Sequence, residues 1–259
     1  MLDHGLMANR VETYDVLGVK ISALNPARAE EVVADMIAHR DKGYVCVAPV
    51  STVMDCQRDP AYRQIVNNAD LVTPDGVPIA WLGRMAGHRA VARTYGAELM
   101  ERFCDHGRAR GWKHFFYGAT PEVCDKLERC LKERFPGLNV VGKFAPAFVP
   151  QAGPLDQALL AKINAAGPDI IWVGLGAPKQ DFWNVLNRTA LDAPVLIGIG
   201  AAFDFLAGVK PRAPRWMQVL GLEWLFRLGC EPRRLWRRYL IGNTQFLGLL
   251  FINIFKKRS

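Results

Sequence analysis

Asp169-Ile170-Ile171-Trp172-Val173 runs directly into Gly174-Leu175-Gly176-Ala177-Pro178-Lys179-Gln180-Asp181-Phe182-Trp183. Four apolar residues in succession followed by a glycine-rich turn have the composition of a strand enclosed on both faces. Pro178 then stands where a helix begins, because its fixed φ suits the first helical turn. Strand, glycine turn and helix start form the arrangement by which many α/β proteins build a nucleotide pocket, since the N–H groups of a helix's first turn attract phosphate.

The same alternation extends from Asp15 to about Gly200. Strands are expected over residues 16–21, 44–48, 69–73, 113–117, 139–141, 169–173 and 195–199. Helices are expected over 26–40, 60–67, 77–85, 97–110, 121–135, 155–166 and 178–189. Strands separated by single helices predict an α/β fold, a Rossmann-like, mostly parallel sheet covered on both faces. Ligands of such sheets bind beyond the carboxyl ends of the strands. The turns Thr73-Pro74-Asp75-Gly76 and Tyr117-Gly118-Ala119, with residues 174–179 and 198–204, should converge there, and residues 144–154 read as a surface loop.

A chain of 259 residues, half of them apolar, supports one large domain or a domain with an appendage. Its six cysteines (Cys46, Cys56, Cys104, Cys124, Cys130, Cys230) contain no C-x-x-C pair and no metal-site spacing with histidine, and read as reduced cytosolic packing thiols. Residues 1–14 carry Asp3, His4, Arg10 and Glu12 without an apolar core, so neither a signal peptide nor a membrane span is expected there. Charge divides the chain. The net charge is +8, yet residues 210–259 hold eleven basic residues against Glu223 and Glu231, leaving residues 1–209 near neutral. Trp216, Trp224 and Trp236 sit among those arginines, and the apolar run from Phe246 to Phe255 is shorter than the roughly 20 residues a span needs. Trp, Phe and Leu mixed with Arg and Lys is the composition of a helix lying in a membrane interface; the plainer reading is a helical hairpin packed on the core with solvated arginines. A nucleic-acid partner has no motif in its favour.

Gly174-Leu175-Gly176 fails the dinucleotide fingerprint because Lys179 occupies the third glycine position, and Gly198-Ile199-Gly200 fails at Phe203. Both failures disfavour an NAD-linked oxidoreductase, whose third glycine lets helix and strand pack closely. Either turn is adequate as an ordinary βα connection, but Lys179-Gln180 at a helix start adds donors suited to phosphate or sugar hydroxyls. Pro74-Asp75-Gly76 is by composition a plain turn. Its place after a strand nevertheless puts Asp75 in the pocket, where a carboxylate can act as general base. Arg93, just ahead of a helix, either caps toward solvent or contacts a phosphate, and Asp204 is a candidate N-cap. No D-x-D pair occurs, so neither a metal nor another cofactor is expected.

Together these residues resemble the WecG/TagA/CpsF family of bacterial glycosyltransferases (glycosyltransferase family 26). The resemblance rests on Asn67-Asn68-Ala69-Asp70-Leu71-Val72-Thr73-Pro74-Asp75-Gly76, on Arg93-Thr94-Tyr95-Gly96-Ala97-Glu98-Leu99-Met100, and on residues 174–180 followed by Trp183. It continues through Gly198-Ile199-Gly200-Ala201-Ala202-Phe203-Asp204 and Arg212-Ala213-Pro214, leading into Leu220-Gly221-Leu222-Glu223-Trp224-Leu225-Phe226-Arg227-Leu228. It implies a GT-E type fold with a catalytic domain over 1–209 and a helical, basic appendage over 210–259 that completes the site at the inner face of the cytoplasmic membrane. It also implies an inverting transfer from a UDP-sugar (UDP-N-acetylmannosamine, UDP-glucose or similar) to a polyprenyl-diphosphate-linked sugar in cell-surface polysaccharide synthesis. By position Asp75 is the implied general base, Arg93 and Gln180 fall on active-site positions, and Arg227, Arg234 and Arg237 approach the donor diphosphate. Gly176, Lys179 and Asp204 are the remaining substrate-binding candidates. Where family members often carry Thr-Pro-Asn this chain reads Ala48-Pro49-Val50-Ser51-Thr52, so Ser51 or Thr52 is left to supply the pocket hydroxyl. The rival of another class is a non-catalytic, membrane-associated nucleotide-sugar binder, which would tolerate loss of Asp75. The sequence leaves a homo-oligomer open.

Overall fold

The computed structural model describes residues 11–256. The expectations about residues 1–10, Lys257 and Arg258 lie outside the described residues. Where a single strand is expected over 16–21, the chain forms an antiparallel hairpin of Thr13–Val16 (β1) and Val19–Ser22 (β2). Leu17 and Gly18 take φ of 54° and 80°, the two-residue turn whose twist matches the flanking strands. The Asp15 carboxylate accepts the Gly18 N–H at 3.2 Å.

Six further strands make one fully parallel sheet: Gly43–Ala48 (β3), Leu71–Pro74 (β4), Lys113–Gly118 (β5), Asn139–Phe144 (β6), Ile170–Gly174 (β7) and Val195–Gly198 (β8). Their order across the sheet is β4-β3-β8-β7-β5-β6. Alternate residues of each inner strand feed two separate cores, which is why these strands read as unbroken apolar runs. Val45, Val47, Trp172 and Ile197 pack beneath Pro26–His39 (α1) and beneath Gly96–His106 (α5) and Pro121–Arg134 (α6). Tyr44, Cys46, Ile171 and Leu196 face Val50–Arg58 (α2), Pro60–Asn67 (α3), Gln157–Ala166 (α7) and Lys179–Asn187 (α8). Several helix starts follow capping chemistry: Asn25, Asp59, Thr120 and Asp156 each accept backbone N–H groups of the turn they precede. Helix α2 follows β3 directly and was not expected; its apolar positions Val53, Met54 and Cys56 are all buried.

Val77–Met85 (α4) follows β4, and Ala202–Leu206 (α9) follows β8. The basic tail is helical in pieces: Arg215–Val219 (α10), Glu223–Cys230 (α11), Pro232–Trp236 (α12), a π-helical turn at Arg237–Ile241, and Gly242–Lys256 (α13). It is joined to the sheet domain by ordinary packing. Phe246 of α13 is buried in the core that contains α2, and Arg58 of α2 donates to the Gln245 side chain at 2.9 Å. Gly221 lies so close to α4 that a β-carbon there would sit 3.0 Å from Val77 Cβ. Among the described residues no helix is long and apolar enough to cross a membrane.

Candidate active site

Pro74 ends β4, and Asp75 leaves the sheet at its carboxyl end, its N–H donating to the Ala48 carbonyl of the neighbouring β3 at 3.3 Å. The turn that follows α4 returns to the same edge, where Thr94 N–H bonds the Pro74 carbonyl at 2.8 Å. This brings Arg93 Nε to 4.0 Å from Asp75 Oδ1. The Arg93 guanidinium also bonds Glu223 of α11, donates to the Gln218 carbonyl of α10 at 3.2 Å, and lies 4.1 Å over the Tyr95 ring. One arginine thus ties the sheet edge to the tail.

Burial raises the Asp75 carboxyl, the Arg93 charge opposes that, Glu223 adds to the rise, and Arg227 and Arg238 oppose it; the balance leaves its pKa pushed up to about 6. A carboxylate that titrates just below neutrality is ionised at pH 7 yet basic enough to take a proton from a reacting hydroxyl.

The turn after β7 is built on its own hydrogen bonds. Gly176, at φ +80°, donates its N–H to the Gln180 side-chain carbonyl at 3.1 Å, and Gln180 N–H returns to the Gly176 carbonyl at 3.0 Å. Gln180 is buried against the end of β8, where a β-carbon on Gly198 would meet its Cγ at 2.9 Å. Lys179 points elsewhere: its ammonium bonds the Val149 carbonyl and sits 5.2 Å over the Phe148 ring, holding the 145–156 loop. Behind the turn, Asp181 accepts the Tyr62 hydroxyl at 2.6 Å.

Thr52 lies in the first turn of α2 and is wholly buried, as is Thr73 at the end of β4, and the hydroxyl of neither has a hydrogen-bond partner. Ser51 is engaged differently: its hydroxyl accepts from Arg238 at 2.7 Å.

The expected residues therefore fall into groups. Asp75 and Arg93 meet, and the charges of Arg227 and Arg238 reach them. Gly176 and Gln180 form one turn. The chain breaks at Glu231, which puts Arg227 on α11 and leaves Arg234 and Arg237, three positions apart, on the continuous helix formed by α12 and the π-helical turn. Arg227 lies over the Phe205 ring at 5.2 Å, Arg234 pairs with Glu231, Arg237 stacks on Trp236 at 5.2 Å, and Asp204 pairs with Lys210 at 2.9 Å. Glu223, Tyr95, Gln218 and Arg238 were missed as site neighbours. Glu223 did leave a signal, as one of two carboxylates in a strongly basic tail. Among the described residues no group of three or more His, Cys, Asp or Glu is placed to hold a metal ion.

A six-stranded parallel sheet covered by helices on both faces, with a carboxylate and an arginine brought together at its carboxyl end, is a Rossmann-like α/β fold. The sequence model described as "Glycosyl transferase WecG/TagA/CpsF family" matches residues 14–259, and the chain belongs to that family: it is a glycosyltransferase. It is 30% identical over 203 residues to an N-acetylglucosaminyldiphosphoundecaprenol N-acetyl-beta-D-mannosaminyltransferase of Bacillus spizizenii, covering 78% of this chain and 76% of the relative. A Staphylococcus aureus protein of the same name is 25% identical over 228 residues, 86% of this chain and 87% of its own.

Proposed function

We propose that the protein transfers a sugar from a UDP-sugar to a sugar carried on a polyprenyl diphosphate, with inversion at the anomeric carbon. The carrying observation is Asp75, held at the carboxyl end of β4 with its pKa near 6 and an arginine 4.0 Å away. An acceptor hydroxyl attacks C1 of the donor while its proton passes to Asp75. The C1–O bond to the diphosphate breaks, and UDP leaves with the charge that bond carried. Fixed positive groups meet that charge; Arg227, whose charge acts on Asp75 as that of Arg238 does, supplies them together with Arg234 and Arg237 of the tail. Gly176 and Gln180 shape the nucleotide side of the pocket. The relatives' names support the lipid diphosphate acceptor and make UDP-N-acetylmannosamine the first donor to assay, with UDP-glucose beside it.

The same reading divides the chain into a catalytic part, 1–209, and a tail, 210–259, that roofs the site and holds the protein on the inner face of the cytoplasmic membrane. Support comes from the outward residues Leu247, Leu249, Phe251 and Ile252 on α13 and from the confined positive charge. The test is UDP release from a panel of UDP-sugars with a short polyprenyl-diphosphate sugar acceptor. Asp75→Asn should melt like wild type and lose about 10²- to 10⁴-fold in turnover. Near-normal turnover in the folded variant would remove Asp75 from the mechanism.

A further inference from the structure

A cavity of about 580 Å³ opens between α4, α5 and α10, within the range of roughly 300–1,000 Å³ common for small-molecule sites. It adjoins Asp75, since Arg93 and Val77 form part of its wall. Its charge is one-sided: Arg84, Arg93, Arg134, Arg212 and Arg215 line it against two carboxylates, Glu98 and Glu101. Those carboxylates do not balance the arginines. Arg134 and Arg212 share Glu101 alone, at 2.5 and 3.2 Å. Burial weakens the hold of Arg212 on its proton, Glu223 opposing and Arg93 adding to the effect. Arg84 uses its Nε on the Val91 carbonyl at 2.8 Å and is otherwise exposed. Guanidinium groups gathered in this way match phosphate oxygens, which they grip in pairs.

The rim has the opposite character. Trp81 and Met85, one turn apart on α4, are 62% and 77% exposed, and Val219 beside the cavity is 70% exposed, with Trp216 and Leu220 also open to solvent. Large apolar side chains clustered at the mouth of a cationic cavity suit a ligand with a charged head and a hydrocarbon chain. A nucleotide-sugar has no such chain. We propose that this cavity receives the diphosphate of the lipid acceptor, that the prenyl chain leaves over Trp81 and Met85, and that α4, outside the basic tail, thereby shares the membrane-facing surface. The inference rests on the acceptor class proposed above.

Binding of geranylgeranyl diphosphate and of inorganic diphosphate to the full-length protein tests this directly, without any transfer. Arg84→Ala/Arg215→Ala should weaken both probes by about tenfold or more. Trp81→Ser/Met85→Ser should weaken the prenylated probe by about tenfold and leave inorganic diphosphate unchanged. All four positions are exposed, so melting temperatures should stay at the wild-type value, and UDP binding should stay within about twofold. Wild-type affinity for geranylgeranyl diphosphate in both variants, or no binding of it by the wild type, would overturn the assignment. So would a parallel loss of UDP binding, which would give the cavity to the donor. A wild-type protein that binds the prenyl diphosphate through these residues yet transfers no sugar to a lipid-linked acceptor would instead refute the proposed function and leave the site standing.

Discussion

Asp75 and Arg93 lie 18 positions apart in sequence, and the partner that orients Arg93, Glu223, lies 130 positions further on. With its carboxyl near 6, Asp75 is protonated progressively as pH falls through that value, so kcat/KM should fall with it on the acid side. Glu223 contributes to that elevation. Glu223→Gln removes a negative charge beside Asp75 and frees the Arg93 guanidinium to turn toward it, and both changes favour the ionised carboxylate. The acid limb of the pH profile should therefore move to lower pH in Glu223→Gln; a limb that stays in place or moves upward would show that another group carries it. The candidate status of Asp75 was readable because a Pro-Asp-Gly turn follows an apolar run. Its environment was not, since desolvation and the charges of Arg93, Glu223, Arg227 and Arg238 come from residues that only folding brings together.

Elements were readable where their signals are local. Pro at a first helical position after a capping Asn, Asp or Thr marks α1, α3 and α6 to within a residue or two. Helix α2 was lost because Val50-Ser51-Thr52-Val53 carries β-branched and hydroxyl residues at its start and no capping side chain; the helix forms because Val53, Met54 and Cys56 are buried against the sheet. The same burial encloses Thr52, a residue expected only as an open pocket hydroxyl. Close strand ends make a second demand. Gly118 ends β5 at φ +130°, and a β-carbon there would lie 2.6 Å from the Gly174 carbonyl carbon, a backbone atom that cannot step aside. Gly118→Ala should cost about 2 kcal/mol or more, read as a fall in Tm; an unchanged Tm would mean that the ends of β5 and β7 are not so tightly joined. In α13 Phe246 is buried, whereas Leu247 and Phe251 are exposed. Phe246→Ala should lower stability by about 3 kcal/mol because its ring is in the core. Leu247→Ser/Phe251→Ser should leave Tm in place and reduce co-sedimentation with vesicles containing anionic lipid, and full retention of vesicle binding would assign membrane contact to some other surface.

For the molecule as a whole, the buried acid behind the glycine turn sets a pH dependence. Burial raises Asp181 from 3.8 to about 6, against the hydrogen bonds from Tyr62 and Cys46. The folded state therefore binds this proton more tightly than the unfolded chain. Stability from this group is greatest below pH 3.8 and is lost as pH rises through about 6, a difference of about 3 kcal/mol. Asp181→Asn removes that ionisation, so the change in Tm between pH 4.5 and pH 7 should shift toward greater relative stability at pH 7; the same change as wild type would mean that Asp181 does not titrate in this window. By itself the sequence determined the α/β class, the parallel strands, the glycine turns and the confinement of positive charge to the tail. Each of these is a property of neighbouring residues: consecutive apolar side chains demand burial on both faces, and charge is a sum over residues. Only the tertiary structure decided the order β4-β3-β8-β7-β5-β6, the meeting of Asp75 with Arg93 and Glu223, the helix break that parts Arg227 from Arg234 and Arg237, and the arginine-lined cavity beneath α10. Those follow from which buried surfaces fit one another across the whole chain, a choice that no short stretch contains.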